Sequence, residues 1–166
     1  FDGVVVVTQG ALKNIEAIDE QTVYVEAGVS CATMARFCAR NHLALAEFWA
    51  GIPGTMGGAL RMNAGCHHGE TWTHLVEVTT INRLGEIKTR KADDFNVAYR
   101  HVEGLAVDEW FLSATFKLPK GNKETALQTI KELLDRRQAT QPTNEYNCGS
   151  VFRNPPGQFA AALIES

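Results

Sequence analysis

Three observations predict an α+β or mixed α/β fold for this chain of 166 residues. Runs of β-branched or alternating residues recur at strand length. Two segments carry apolar residues at helical spacing. The loops between them are long and rich in glycine. No Gly-x-Gly-x-x-Gly stands between a strand and a helix, so a Rossmann arrangement is not expected.

The elements follow in chain order. Residues 3–8 (Gly-Val-Val-Val-Val-Thr) form a continuous β-branched run, suited to a strand buried on both faces. Residues 10–20 are mixed and read as a turn and a short edge element. Residues 22–27 alternate and give the next strand. Ser30 is placed to cap a helix over 31–41, whose apolar face is Met34, Phe37 and Cys38. Residues 43–49 lead into a glycine-rich stretch. Residues 75–82 are a strand, Leu84-Gly85-Glu86 a hairpin-like turn, and 87–89 its return. Residues 91–95 read as a short turn or helical element, and 110–118 as a strong strand ended by 119–122. Residues 123–138 are an amphipathic helix with Leu127, Ile130, Leu133 and Leu134 on one face. Residues 140–143 break it and read as a linker, and 161–166 read as a helix cut short.

Composition limits the function. The chain is 45% hydrophobic and 21% charged, as ordinary globular proteins are, with one or at most two domains. A net charge of −3 gives no basic field for nucleic acid. Apolar runs are too short to span a bilayer. Cys31, Cys38, Cys66 and Cys148 include no Cys-x-x-Cys pair and read as thiols of a reducing cytoplasm. The histidines show no metal-ligand spacing, so no metal is expected, and His67-His68 reads as a hydrated loop.

Residues 51–65 read Gly-Ile-Pro-Gly-Thr-Met-Gly-Gly-Ala-Leu-Arg-Met-Asn-Ala-Gly. Such a stretch is a poor helix and a poor strand, because glycine gives up the most backbone entropy on ordering. A fold accepts that cost where backbone turns sharply or comes close to another surface, such as a flat phosphorylated ligand.

The order of residues in this stretch resembles the GIPGT-GGA-NAG segment of the UDP-N-acetylenolpyruvoylglucosamine reductases. Tyr99-Arg100 and residues 147–155 (Asn-Cys-Gly-Ser-Val-Phe-Arg-Asn-Pro) also resemble that family, in the family's order. The resemblance covers nearly the whole chain. It implies an α+β fold, the central part of a two-subdomain FAD-binding domain of the vanillyl-alcohol-oxidase type. Residues 1–140 would be that domain, and 141–166 the start of a substrate-binding domain. The chain is thus expected to be a fragment, with a further phosphate-binding glycine stretch upstream and a catalytic Glu downstream; Glu165 is not assigned that role.

The activity implied is FAD-dependent, NADPH-driven reduction of an enolpyruvyl sugar nucleotide in the cytoplasm, for peptidoglycan precursor synthesis. Arg100 and Ser150 are the implied catalytic residues: a cation for the substrate carboxylate and a proton donor. Gly51, Ile52, Pro53, Gly54, Thr55, Gly57, Gly58, Ala59, Asn63, Ala64 and Gly65 are the implied FAD-binding residues. Tyr99, Asn147 and Asn154 are assigned to substrate. Val102 stands where other members often carry Ser. Two other readings are another FAD-dependent oxidoreductase of the same fold, such as a flavin oxidase, and an FAD-binding unit without activity.

Overall fold

The computed structural model describes residues 2–67, 69–141, 146 and 151–166. Two compact units emerge, Phe1–Asp135 and Arg136–Ser166.

The first unit is built on a five-stranded antiparallel sheet with the order β1-β2-β9-β5-β6. Its strands are β1 (Ile15–Ala17), β2 (Thr22–Glu26), β5 (Leu75–Asn82), β6 (Ile87–Lys91) and β9 (Glu109–Lys117). Alternation in β2 is literal: Val23 and Val25 are buried while Thr22, Tyr24 and Glu26 are half-buried. Gly85, at φ +81, lets the β5–β6 hairpin close in the left-handed region. The edge element expected in residues 10–20 is β1, which pairs with β2.

Helix α1 (Cys31–Arg40) begins at Ser30, whose hydroxyl accepts from the Thr33 N–H at 3.1 Å. Met34 and Cys38 are fully buried, and Phe37 packs at the core margin. A 3-10 turn, Glu47–Gly51, then buries Trp49, which meets Phe116 of β9 edge-on at 5.0 Å. Helix α2 (Met56–Arg61) lies against β2 and β9. Helix α3 (Lys123–Thr140) buries Ala126 and Ile130. The second unit ends in α4 (Ala160–Glu165).

Two expectations are corrected. Residues 3–8 are not a buried strand: Val4 and Val6 are 88% and 77% exposed, and no ladder pairs them among the described residues. A strand buried on both faces needs ladder partners on either side, and among the described residues this run has none. The run ends in a turn, where the Thr8 carbonyl accepts from Ala11 and Leu12. The glycine-rich stretch does contain a helix, α2, despite Gly57 and Gly58 inside it. Tertiary packing overrides the low propensity, because Met56 and Leu60 of α2 are fully buried.

Candidate functional site

The glycine-rich stretch folds back on the end of β2. The Met56 N–H donates to the Val29 carbonyl at 2.8 Å and the Gly57 N–H to the Ala27 carbonyl at 2.9 Å. The leading donors of α2 are therefore engaged by protein. A Cβ added to Gly57 would stand 2.9 Å from the Ala27 Cβ, so packing on β2 accounts for that glycine. Gly58 differs: a Cβ there would meet nothing within 4 Å, and the residue is exposed. Gly54 is likewise bare, with φ +154. Ile52 and Thr55 are half-buried between them, Pro53 is exposed, and Ala59 is buried. Gly54 and Gly58 thus leave bare backbone facing open space, which fits the approach of a flat ring system or a phosphate chain.

The next segment turns through a small hairpin, β3 (Gly65–Cys66) paired with β4 (Gly69–Glu70). Its root is fixed from below. The buried Trp49 indole donates to the Thr71 hydroxyl at 3.3 Å, and that hydroxyl donates to the Ala64 carbonyl at 2.7 Å. Gly51 lies under this hairpin, where a Cβ would be 2.8 Å from Cys66 Sγ. His67 sits in the turn at φ +49; His68 lies outside the described residues.

A second hairpin, β7 (Asn96–Ala98) and β8 (His101–Glu103), carries Tyr99 and Arg100 as its two-residue tip. It is packed at two points: Phe95, just before β7, meets the Trp72 ring at 5.0 Å, and Val102, in the middle of β8, is buried. The position where other members often carry Ser is therefore a core position here. Arg100 has φ +55, a left-handed conformation that a non-glycine residue seldom holds and that gathers at functional sites.

Arg100 reaches across to the first hairpin. Its Nη2 donates to the Gly65 carbonyl at 3.2 Å, and its guanidinium stands 5.8 Å from the Tyr99 ring centre. Tyr99 is half exposed. Asn63, also at positive φ (+39), is 2% exposed, and its amide is engaged on both ends. Nδ2 donates to Glu70 Oε2 at 2.9 Å and to the Ala98 carbonyl at 3.2 Å, while Oδ1 accepts from the Trp72 N–H at 3.2 Å. Arg61 donates to the Val102 carbonyl at 3.4 Å.

The fold therefore brings together the Asn63-Ala64-Gly65 run and the Tyr99-Arg100 pair, which lie 35 residues apart where Arg100 meets Gly65. Sequence reasoning missed Glu70 and Trp72 as supports of this cluster. The Asn-x-x-x-x-x-x-Glu spacing was the available signal, and it has no meaning until the hairpin closes. Asn154 belongs to the second unit, where its Oδ1 accepts from the Ala160 N–H at 3.0 Å at the start of α4. Ser150 and Asn147 lie outside the described residues.

Burial pushes the Cys31 thiol up to about 12, and burial with Glu47 nearby does the same for Cys38. Neither is a thiolate nucleophile at neutral pH. Among the described residues no group of three or more His, Cys, Asp or Glu comes together to hold a metal. Among the described residues no helix is long and apolar enough to cross a membrane.

Bare backbone at Gly54 and Gly58 suits a domain that receives a flavin. Residues 1–90 match the FAD binding domain family, and the chain belongs to it. At closer range, the chain is 69% identical over its full length to the UDP-N-acetylenolpyruvoylglucosamine reductase of Legionella pneumophila (strain Paris), covering 54% of that protein. It is 52% identical over 99% of its length to the enzyme of that name from Methylococcus capsulatus, again covering 54% of it. The crystal structure of UDP-N-acetylenolpyruvylglucosamine reductase from Thermus caldophilus superposes with a TM-score of 0.77 at 30% identity, over 90% of this chain and 54% of that one. The chain spans about half the length of the curated relatives it matches.

Proposed function

We propose that this chain is the FAD-binding part of a reductase that converts the enolpyruvyl ether of UDP-N-acetylglucosamine enolpyruvate to UDP-N-acetylmuramate, with NADPH as reductant. The step would serve peptidoglycan precursor synthesis in the cytoplasm. Residues 141–166 begin the domain that receives the sugar nucleotide.

The enolpyruvyl double bond is conjugated to a carboxylate. Hydride added at the far carbon leaves negative charge on the near carbon and the carboxylate. FAD, once reduced, supplies that hydride when bound. Gly54 and Gly58 would admit it by clearance, and Gly51, Ala64 and Gly65 would hold it with them. Arg100 meets the substrate carboxylate: a guanidinium has five N–H donors in a fixed fork, and the Gly65 bond occupies one nitrogen. Charge that grows on the carboxylate as hydride arrives is thereby stabilised in place. Ser150 gives a proton to the near carbon, which completes the reduction. Tyr99, Asn147 and Asn154 contact the sugar nucleotide.

The observation that carries this reading is Arg100 itself, held in the left-handed region and bonded to the Asn63-Ala64-Gly65 run. The test is Arg100→Lys in the intact, flavin-loaded protein. Lysine keeps the charge and loses the fork, so flavin content should stay at wild type while reduction of the enolpyruvyl substrate falls by on the order of 10²-fold or more, the scale of a lost oxyanion donor. Wild-type turnover in the lysine protein would make Arg100 a structural ion. Oxygen consumption with an alcohol donor, indifferent to NADPH, would replace the reductase with an oxidase.

A further inference from the structure

Asn63 is buried, yet its side chain serves three separate segments: β4 through Glu70, the turn after it through Trp72, and the end of β7 through Ala98. An amide has two N–H donors, and both are used. Ala98 is the residue immediately before the Tyr99-Arg100 tip, and its ladder partner is His101. Arg100 closes the circuit by donating to Gly65, whose ladder partner is Glu70. The contacts form a ring: Asn63 to Ala98, along the tip to Arg100, across to Gly65, over the ladder to Glu70, and back to Asn63.

This ring has a clear mechanical consequence. The β7 residues Asn96, Val97 and Ala98 are all exposed, so packing holds the hairpin through Phe95 before it and Val102 in the middle of β8, and not through β7. The tip carries a residue at positive φ that tends to relax unless its surroundings fix it. Asn63 supplies that fixation by a donor aimed at the carbonyl on which the tip begins. Glu70 accepts the other amide proton and so sets the rotation of the Asn63 side chain.

We infer that Asn63, braced by Glu70, is a positioning residue for Arg100: it holds the hairpin tip so that the guanidinium faces the reacting carboxylate. The inference rests on the reading of Arg100 given above. The Asn63 side chain is filled by protein partners, so the FAD-binding role expected of this residue would fall to its backbone.

The test uses the intact, flavin-loaded protein with Asn63→Ala, Arg100→Ala, the double variant, and Glu70→Gln beside Glu70→Ala. Three quantities are read: flavin reduction by NADPH, reoxidation by the enolpyruvyl substrate, and amide hydrogen exchange of the ligand-free protein. Asn63→Ala should slow reoxidation by on the order of 10²-fold, the scale of an ångström of misplacement, and leave reduction by NADPH near wild type. Exchange should quicken over residues 96–103 and stay unchanged in β5 and β9. On the Arg100→Ala background, Asn63→Ala should add nothing, since its effect passes through the arginine. Glu70→Gln retains an acceptor oxygen and should keep most of the rate, whereas Glu70→Ala should lose about tenfold, the low end for a lost supporting partner.

A full additional loss in the double variant, or faster exchange spread through β5 and β9, would overturn the positioning role and make Asn63 a general support of the fold. Should Asn63→Ala not fold, the exposed Glu70 pair decides: equal rates for Gln and Ala overturn the proposal. If Arg100→Ala alone reoxidises like wild type, the reading of Arg100 falls instead, and the exchange of residues 96–103 still tells whether Asn63 holds the hairpin.

Discussion

Gly57 and Gly58 are neighbours in one helix, and the structure gives them opposite roles. A Cβ at Gly57 would lie 2.9 Å from the Ala27 Cβ and 3.2 Å from the Ala27 carbonyl oxygen. Both atoms belong to a fixed strand end, so α2 must shift. Overpacking of this kind costs about 1–3 kcal/mol. Gly57→Ala should therefore lower the melting temperature of the flavin-free protein by about 2–4 °C per kcal/mol, the scale for a domain of this size. At Gly58 a Cβ meets nothing within 4 Å and φ is not positive. Alanine there should raise helix stability by about 0.5–1 kcal/mol, through lower backbone entropy in the unfolded chain. The flavin-free Gly58→Ala protein should thus melt at or slightly above wild type. If flavin approaches this face, the same methyl group should reduce flavin retained per chain, and Gly58→Val should abolish retention. The assays are thermal melting of the stripped protein and flavin absorbance of the purified one. A Gly58→Val protein with full flavin content would refute the placement of the cofactor. A Gly57→Ala protein that melts with wild type would refute the packing argument.

Three further outcomes follow from the same geometry. Arg100→Gly relieves a left-handed backbone position, so it should hold or raise the melting temperature while substrate reduction is lost; a clear drop in melting temperature would mean that the Gly65 bond outweighs the strain. Burial pushes the Glu109 carboxyl up, but the Thr80 hydroxyl at 2.5 Å, the Ala106 N–H and Arg90 outweigh it, and the net shift is downward. A folded pKa below the unfolded one gives stability that is full above the unfolded value and fades as pH falls through the folded one; Glu109→Gln should flatten the acid limb of melting temperature against pH, and an unchanged limb would refute the assignment. Ser150→Ala should leave flavin reduction by NADPH intact and slow reoxidation by substrate by on the order of 10²–10⁴-fold, the range for a lost general acid; equal loss in both half-reactions would make the serine a support of its loop.

Much of the first unit is written in local pattern. Ser30 caps α1 as its chemistry requires, β2 alternates, and β5 and β6 join at Gly85. These features depend on neighbours in sequence, and so they are legible there. Residues 3–8 mislead because a β-branched run states a preference without naming a ladder partner. The helix at 56–61 is hidden by its glycines, because its stability comes from Met56 and Leu60 sinking into the core. The site is legible as motifs and illegible as geometry. Tyr99-Arg100 and Asn63-Ala64-Gly65 stand out as segments, but the bonds that join them span 35 residues. No periodicity encodes a side-chain amide aimed at a distant carbonyl.

Glycine-rich loops are often read as sources of free N–H groups for phosphate. Here the first donors of α2 are spent on the carbonyls of Val29 and Ala27, so the stretch is fastened to β2 before any ligand arrives. Clearance at Gly54 and Gly58 then lies on backbone that is already ordered. A cofactor binding such a surface loses less to backbone entropy than one that must organise a slack loop. The same logic extends to Arg100, whose strained backbone is fixed in advance by Asn63 and Gly65. Both features are set by bonds made within the chain, and in the reading proposed above recognition is left to shape at Gly54 and Gly58 and to charge at Arg100.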